Sequence, residues 1–317
     1  MKRDFRIGLA LGGGGAAALS YVGVLEELSI AGVRFHCVAG TSAGAVVGAA
    51  LAARRLDEFR DVMTSLTRGR AFTLFDPTWG RGGLIDGRRA MEMLTPLIGT
   101  DIEKLPVRFA AVATDLDTGA EVTLDRGPVI DAVRASIAIP GVFRPQTIGG
   151  RVLVDGGLVN PIPVSVARSM DADFVIALSI LRLRGVIEEI AASALEVSEI
   201  GAGDGQGTPS PATDAASRNG NDPLRMIDVL AKGSAVVQAH IAAARLRDNP
   251  PDVFLAPPSA HIGIFELMRS AEAIAAGREI ARAALPELLA TIEAARRRHA
   301  NPLRRLWPSA LARRRAI

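Results

Sequence analysis

Two glycine-rich turns within the first fifty residues constrain the fold more than any other feature. Phe5–Leu11 is a short apolar run, broken by Gly12–Gly15. Ala16–Ala31 has helical composition and ends at Gly32, a C-cap signal. Phe35–Ala39 is a second apolar run, followed by the tight sequence Gly40-Thr41-Ser42-Ala43-Gly44 and an Ala/Val-rich helix to about Ala53. Strand, glycine loop, helix, strand, turn, helix is the opening of a right-handed parallel α/β sheet. Aromatic residues make up 4% of the 317 residues, which suits a close-packed parallel core better than a β-sandwich.

The alternation continues. Asp57–Thr67 and Arg89–Ile98 read as helices around Arg68–Arg88, an irregular Gly-rich stretch with Phe72, Phe75 and Trp79 that could cap a pocket or pack as a surface loop. Arg108–Thr114 is a strand that Glu121–Leu124 can pair with across the turn at Asp117-Thr118-Gly119. Val129–Ile137 is a short helix stopped by Pro140-Gly141, and Val152–Val154 is a short strand running into Asp155-Gly156-Gly157. Val164–Met170 (helix), Phe174–Ser179 (strand), Leu224–Arg247 (helix), Asp252–Ala256 (strand) and Ala271–Arg298 (helix with interruptions at Gly277 and Pro286) complete the pattern. Residues 5–298 are expected to form one domain, with a flexible loop at 201–222 rich in Gly, Pro, Ser, Asp and Asn.

The formal charge of +3 is uneven. Eight arginines and no acid lie between Arg296 and Ile317, so residues 1–295 carry −5. A body of that sign is not a nucleic-acid surface, and no specific nucleic-acid partner is expected. The segment 299–317 is a basic tail. Asn301-Pro302 signals a helix start, and Leu303, Leu306 and Trp307 share a face beside Arg304 and Arg305. It suits peripheral contact with an anionic membrane, a solvated terminus, or nonspecific binding of nucleic acid. Cys37 is the single cysteine, so no intrachain disulfide and no cysteine metal cluster can form. Lys2, Arg3 and Ile7–Leu19 imitate a signal peptide, but Asp4 and four glycines interrupt it, and cleavage would remove the first core strand. No run reaches the ~20 residues of a membrane span. A cytoplasmic location, with peripheral membrane contact, is expected.

Three pieces carry chemistry. The loop Gly12–Gly15 offers unhindered N–H groups at a helix N-terminus, fit for an oxyanion, a phosphate or a structural turn. Gly13, Gly15 and Ala18 also fit G-x-G-x-x-A, but the following strand ends in Ala39-Gly40-Thr41 with no acid to hold a ribose, which disfavours a dinucleotide. Gly40-Thr41-Ser42-Ala43-Gly44 is G-x-S-x-G between strand and helix, the pattern of a nucleophile elbow in which Gly40 and Gly44 make room for a strained Ser42. Asp155, before two glycines at a strand end, is either a base for Ser42 or an ordinary Asp-Gly turn.

In this order the glycine loop, G-x-S-x-G and D-G-G resemble the patatin-like phospholipases, especially bacterial members. Ala135-Ser-Ile-Ala-Ile-Pro-Gly-Val-Phe-Arg-Pro145 and Val112-Ala-Thr-Asp-Leu-Asp-Thr-Gly119 are similar to family segments. The likeness runs from about residue 5 to about 180 and more weakly through Asp252–Arg278. It implies a three-layer α/β fold with a mostly parallel central sheet flanked by helices. It further implies a Ser42–Asp155 dyad without a histidine, an oxyanion hole from Gly13, Gly14 and Gly15, and ester hydrolysis without metal or cofactor. The expected substrate is a glycerolipid acyl ester, phospholipid or lysophospholipid. The rival readings are a general carboxylesterase or thioesterase, and a noncatalytic or nucleotide-binding module. The chain departs from the family at Ala17-Ala18, where a basic residue and Gly are usual, and at Tyr21, where many relatives have His. Were a triad used instead, His261, just after the last strand, is the candidate; His36, His240 and His299 are poorly sited.

Overall fold

The computed structural model describes residues 4–74, 77–80, 83–181, 198–199 and 226–300. In chain order its elements are β1 (Ile7–Leu11), a 3-10 turn (Gly15–Leu19), α1 (Ser20–Ile30), β2 (Cys37–Thr41), α2 (Ala43–Ala52), α3 (Leu56–Thr64), α4 (Arg68–Thr73), β3 (Pro77–Gly80), β4 (Gly83–Ile85) and α5 (Arg88–Ile98). There follow β5 (Arg108–Asp115), β6 (Glu121–Leu124), α6 (Val129–Ser136), β7 (Gln146–Ile148), β8 (Arg151–Asp155), α7 (Val164–Ser169), β9 (Phe174–Leu178), β10 (Ser198–Glu199), α8 (Met226–Asp248), β11 (Val253–Leu255) and α9 (Ser270–Ala300).

The main sheet has the order β10-β11-β9-β1-β2-β5-β8-β7, with β6 also on β5. From β10 to β5 every pairing is parallel, whereas β6, β7 and β8 join antiparallel. The expected fold is therefore the observed one: an α/β sheet, mostly parallel, between helical layers.

The period of two along each strand sorts the core into two layers. Ile7, Leu9 and Leu11 of β1 face one side with Phe109, Ile176 and Leu178, under α1, α2 and α9. Ala10, Ala39, Ala110, Val112 and Ala177 face the other, under Val164, Val166 and Ala167 of α7 and Ala242 and Leu246 of α8. Alanine dominates that second face, which lets α7 pack close to the sheet and explains the shortage of aromatics. Both faces being covered, β1 is buried along its whole length and reads as an unbroken apolar run.

Several sequence expectations are corrected. α1 does not begin at Ala16: the chain first makes the 3-10 turn, and the α-helix starts at Ser20. β2 runs on to Thr41, so the turn is shorter than Gly40–Gly44. Gly277 and Pro286 do not interrupt α9, which is continuous. Gly277 lies against the Ser20 carbonyl and Gly23 against that of Ile274, so these glycines are the close crossing of α1 and α9. Arg68–Arg88 is not irregular but forms α4 and the antiparallel β3–β4 hairpin. The side chains of Phe72, Phe75 and Trp79, and with them the cap, lie outside the described residues. β7 went unread; Gly149 and Gly150 (φ 57° and 79°) form the two-residue turn that pairs it with β8. α9 ends at Ala300, just past the expected start of the tail, and residues 301–317 and the loop 201–222 lie outside the described residues. Among the described residues no helix is long and apolar enough to cross a membrane.

Candidate active site

β5 brings residues 42 and 155 together. On one edge β5 pairs with β2, up to Thr41 opposite Val112. On the other it pairs with β6 over Ala111–Thr114. β8 matches Asp155 to Ala113 and Val154 to Thr114, positions whose second edge β6 already fills. β8 therefore lies on the β2 edge, end to end with β2. Ser42 leaves that edge as Asp155 arrives on it, from opposite directions and at adjacent register positions.

Side chains reinforce the junction. The Ser42 N–H donates to Ser136 Oγ (2.9 Å), and that hydroxyl donates to the Val112 carbonyl (2.6 Å). Gly156 packs on the same carbonyl. Thr114 Oγ1 donates to the Asp155 main-chain oxygen (2.8 Å), and Thr41 Oγ1 to that of Asn160 (2.8 Å).

Ser42 holds φ 55°, ψ −127° and is the N-cap of α2. A non-glycine residue at positive φ costs on the order of 1–3 kcal/mol and persists only where its surroundings fix it. Here the neighbours do so. A Cβ on Gly40 would lie 2.5 Å from Ala45 Cα, and one on Gly44 would run into the Leu11 and Gly12 carbonyl oxygens. The Ser42 carbonyl already accepts from Ala45 N–H (2.8 Å), so α2 points its positive end at this residue.

Asp155 is 3% exposed. Burial pushes its carboxyl up to about 6, against the opposing pull of the Ser42 side chain and the Gly157 N–H. That N–H donates to Oδ1 at 2.7 Å, while Oδ2 is buried without a well-formed hydrogen bond. One oxygen is thus anchored and the other is left for a proton.

Gly13 sits directly on Ser42: a Cβ there would be 3.3 Å from the serine Cβ. Its N–H donates to Pro161 O at 3.2 Å. The N–H groups of Gly14 and Gly15, on half-buried residues, have no hydrogen-bond acceptor among the described residues. Of the three glycines expected to bind an oxyanion, these two are the open donors.

Two further neighbours complete the surroundings: Tyr21, marked in the sequence only as a departure from the family, and Gln238, not marked at all. Tyr21 is fully buried, and its hydroxyl donates to Gly13 O (3.5 Å) and accepts from Ile180 N–H (3.2 Å), tying the glycine loop to the end of β9. Burial raises the phenol pKa, so it stays neutral. Gln238 of α8 stands between the loop and the carboxylate turn, its amide carbon 2.8 Å from where a Gly157 Cβ would lie. It donates to Ser234 Oγ (2.9 Å). Nothing in the pattern of α8 marked it. Ala17 and Ala18 are fully buried, so a basic side chain in their place would have to enter the core.

No histidine bonds to Ser42 or Asp155 among the described residues. His261 is half exposed and pairs with Glu272 (2.8 Å). His36 precedes β2, at the opposite end of that strand from Ser42. His240 is exposed on α8, and His299 packs on Phe5 near Asp173, below the strand starts. Among the described residues no group of three metal-ligating side chains occurs.

The site thus sets a serine on a strand-to-helix elbow, against a glycine loop and beside a buried carboxylate, on a mostly parallel sheet. Residues 9–168 match the family described as Patatin-like phospholipase, and the chain belongs to that family. An uncharacterized NTE family protein of Mycobacterium tuberculosis is 31% identical over 88% of this chain and 91% of its own length. The rat patatin-like phospholipase domain-containing protein 7 is 32% identical over 55% of this chain, which is 13% of that protein. Among solved structures, VipD from Legionella pneumophila aligns over 86% of this chain and 75% of its own at TM-score 0.36 and 16% identity, too loosely to carry an argument. Family membership supports lipid hydrolysis.

Proposed function

We propose that the protein is a serine acyl hydrolase of glycerolipids, cleaving phospholipid or lysophospholipid esters through an acyl-enzyme. The observation that carries this reading is the end-to-end docking of β2 and β8 on one edge of β5, which makes Ser42 and Asp155 neighbours. Ser42 Oγ attacks the ester carbonyl and Asp155 Oδ2 takes its proton. A carboxyl raised to about 6 is a better base than a free aspartate and is still ionised at neutral pH. The tetrahedral oxyanion lies toward the N–H groups of Gly14 and Gly15, each well-placed donor contributing about 3–4 kcal/mol to the transition state. Asp155 then returns the proton to the departing alcohol or lysolipid, and water repeats the cycle on the acyl group.

The experiment is a substrate panel of phospholipid, lysolipid, triacylglycerol and p-nitrophenyl esters with wild type and Ser42→Ala, alongside labelling by a fluorophosphonate. The expected result is lipid hydrolysis and a covalent adduct on Ser42, both absent from the variant. Folded wild type that neither labels nor hydrolyses any ester would refute the reading. Turnover of p-nitrophenyl esters or thioesters alone would replace the lipid substrate with a general ester or thioester.

A further inference from the structure

Away from Ser42, two arginines each bury a side-chain nitrogen that has no hydrogen-bond partner. Arg134, on α6, is 8% exposed, and its Nη1 is buried without a hydrogen-bond partner. Its Nη2 donates to the Asp86 main-chain oxygen (2.9 Å), and its guanidinium lies 5.7 Å from the Phe143 ring centre. Arg144 follows Phe143 in the chain. Its N–H donates to Ile85 O (3.3 Å), and its Nε is buried and likewise unpartnered. Neither side chain forms an ion pair with a described residue. The Asp86 carboxylate attracts Arg134 from a distance, whereas burial and the like charge of Arg144 lower the Arg134 pKa.

A third set of donors faces the same place. α5 is eleven residues long and begins after Gly87, which lends it no side-chain cap, and the N–H groups of Arg88 and Ala90 have no acceptor among the described residues. Gly87 touches the cluster: a Cβ on it would be 3.3 Å from the Phe143 ring and 3.7 Å from Arg134 Nε. Buried charges are normally paired, and arginine cannot shed its proton to escape the cost. Against the single carboxylate of Asp86, two guanidiniums and a helix N-terminus leave donors and positive charge in excess, in the fork geometry that suits tetrahedral oxyanions.

We propose that Arg134, Arg144 and the N-terminus of α5 form a binding site for a phosphate group, separate from Ser42 and independent of the reaction assigned to it. The phosphate is either free or part of a lipid headgroup. The site shares α6 with Ser136, the residue holding the Ser42 N–H, so its occupant sits two residues along the helix from the support of the serine.

The test is binding, not turnover. Wild type, Arg134→Met and Arg144→Gln are titrated with inorganic phosphate in a thermal-shift assay, with sodium chloride at equal ionic strength as control. A saturable rise in Tm is expected for wild type only with phosphate. Arg144→Gln should raise the apparent Kd at least tenfold. Arg134→Met should abolish the response and, by removing a buried unpaired charge, melt higher than wild type in phosphate-free buffer. Flotation with vesicles of non-hydrolysable ether-linked phosphatidylglycerol separates the sources. Tenfold weaker vesicle binding by Arg144→Gln assigns the phosphate to a headgroup; unchanged vesicle binding with a lost phosphate response assigns it to the free ion. No phosphate response beyond the chloride control, or equal responses in all three proteins, overturns the proposal. Because Arg144 is half exposed, that variant keeps the test valid if Arg134→Met fails to fold.

Discussion

Replacing Asp155 by Asn should stabilise the protein, and more so as the pH rises. The carboxyl is fully buried and its pKa is raised from 3.8 to about 6. A shift of roughly two units corresponds to about 3 kcal/mol by which the folded state disfavours the ionised form. The direction follows from proton uptake. Between about pH 4 and 6 the folded chain holds a proton that the unfolded chain has released, so stability falls as the pH rises through this window and levels off above it. At pH 8 nearly the whole penalty is present, and at pH 4 only about 0.5 kcal/mol remains. Asn cannot ionise, and its amide oxygen can still accept the Gly157 N–H bond now held by Oδ1. The advantage of Asp155→Asn should therefore grow by about 2.5 kcal/mol from pH 4 to pH 8. With an unfolding entropy of roughly 2.1 cal/mol/K per residue, that is a Tm difference widening by about 4 °C. Differential scanning calorimetry of both proteins at several pH values measures it. A Tm difference that stays constant or narrows with rising pH would show that Asp155 is not the strained, buried carboxylate described here.

Other outcomes follow from the same geometry. Under the dyad, kcat/KM should rise with pH through about 6 and lose its acidic limb only with Asp155, while Asp155→Asn and Ser42→Ala should each lower the rate ~10³-fold or more. His261→Ala should stay within about tenfold of wild type, since its partner is Glu272; a loss matching that of Ser42→Ala in a steady-state ester assay would reinstate a triad. Ser42→Gly should melt above Ser42→Ala, by ~1 kcal/mol of relieved backbone strain, because only glycine is at ease at φ 55°. Ser136→Ala leaves the Ser42 N–H and Val112 carbonyl without the bridging hydroxyl and should cost about 1–3 kcal/mol in urea unfolding, with a fall in kcat.

The parallel half of the fold was legible because its strands are buried on both faces and read as unbroken apolar runs, so Phe5–Leu11, Arg108–Thr114 and Phe174–Ser179 match the observed strands within a residue or two. The antiparallel edge was not. Gln146–Ile148 is three residues long and only half buried, and it acquires a strand pairing only through the Gly149–Gly150 turn. Gly277 was misread for a related reason: a helix crossing and a helix break both call for glycine, and only the partner, α1, distinguishes them. At the candidate site, Ser42 and Asp155 each carry a local signature, strand then glycine turn. Tyr21 and Gln238 carry none. They sit in helical sequence and reach the site only through tertiary packing, the phenol by hydrogen bonds to Gly13 and Ile180. The Gly13 N–H was expected to be open, but its acceptor, Pro161, is 148 positions away in the chain and could not be foreseen.

The shared edge of β5 acts as a ruler. Length changes in the turns at Asp117–Gly119 or Gly149–Gly150 leave the spacing of residues 42 and 155 untouched, because neither turn lies between Val112 and Ala113. One extra residue inserted there would slide the carboxylate about 3.3 Å along and swing it to the opposite side of the sheet. Chain length can thus drift freely in the periphery of this site, while a single peptide link in the middle of β5 cannot change at all.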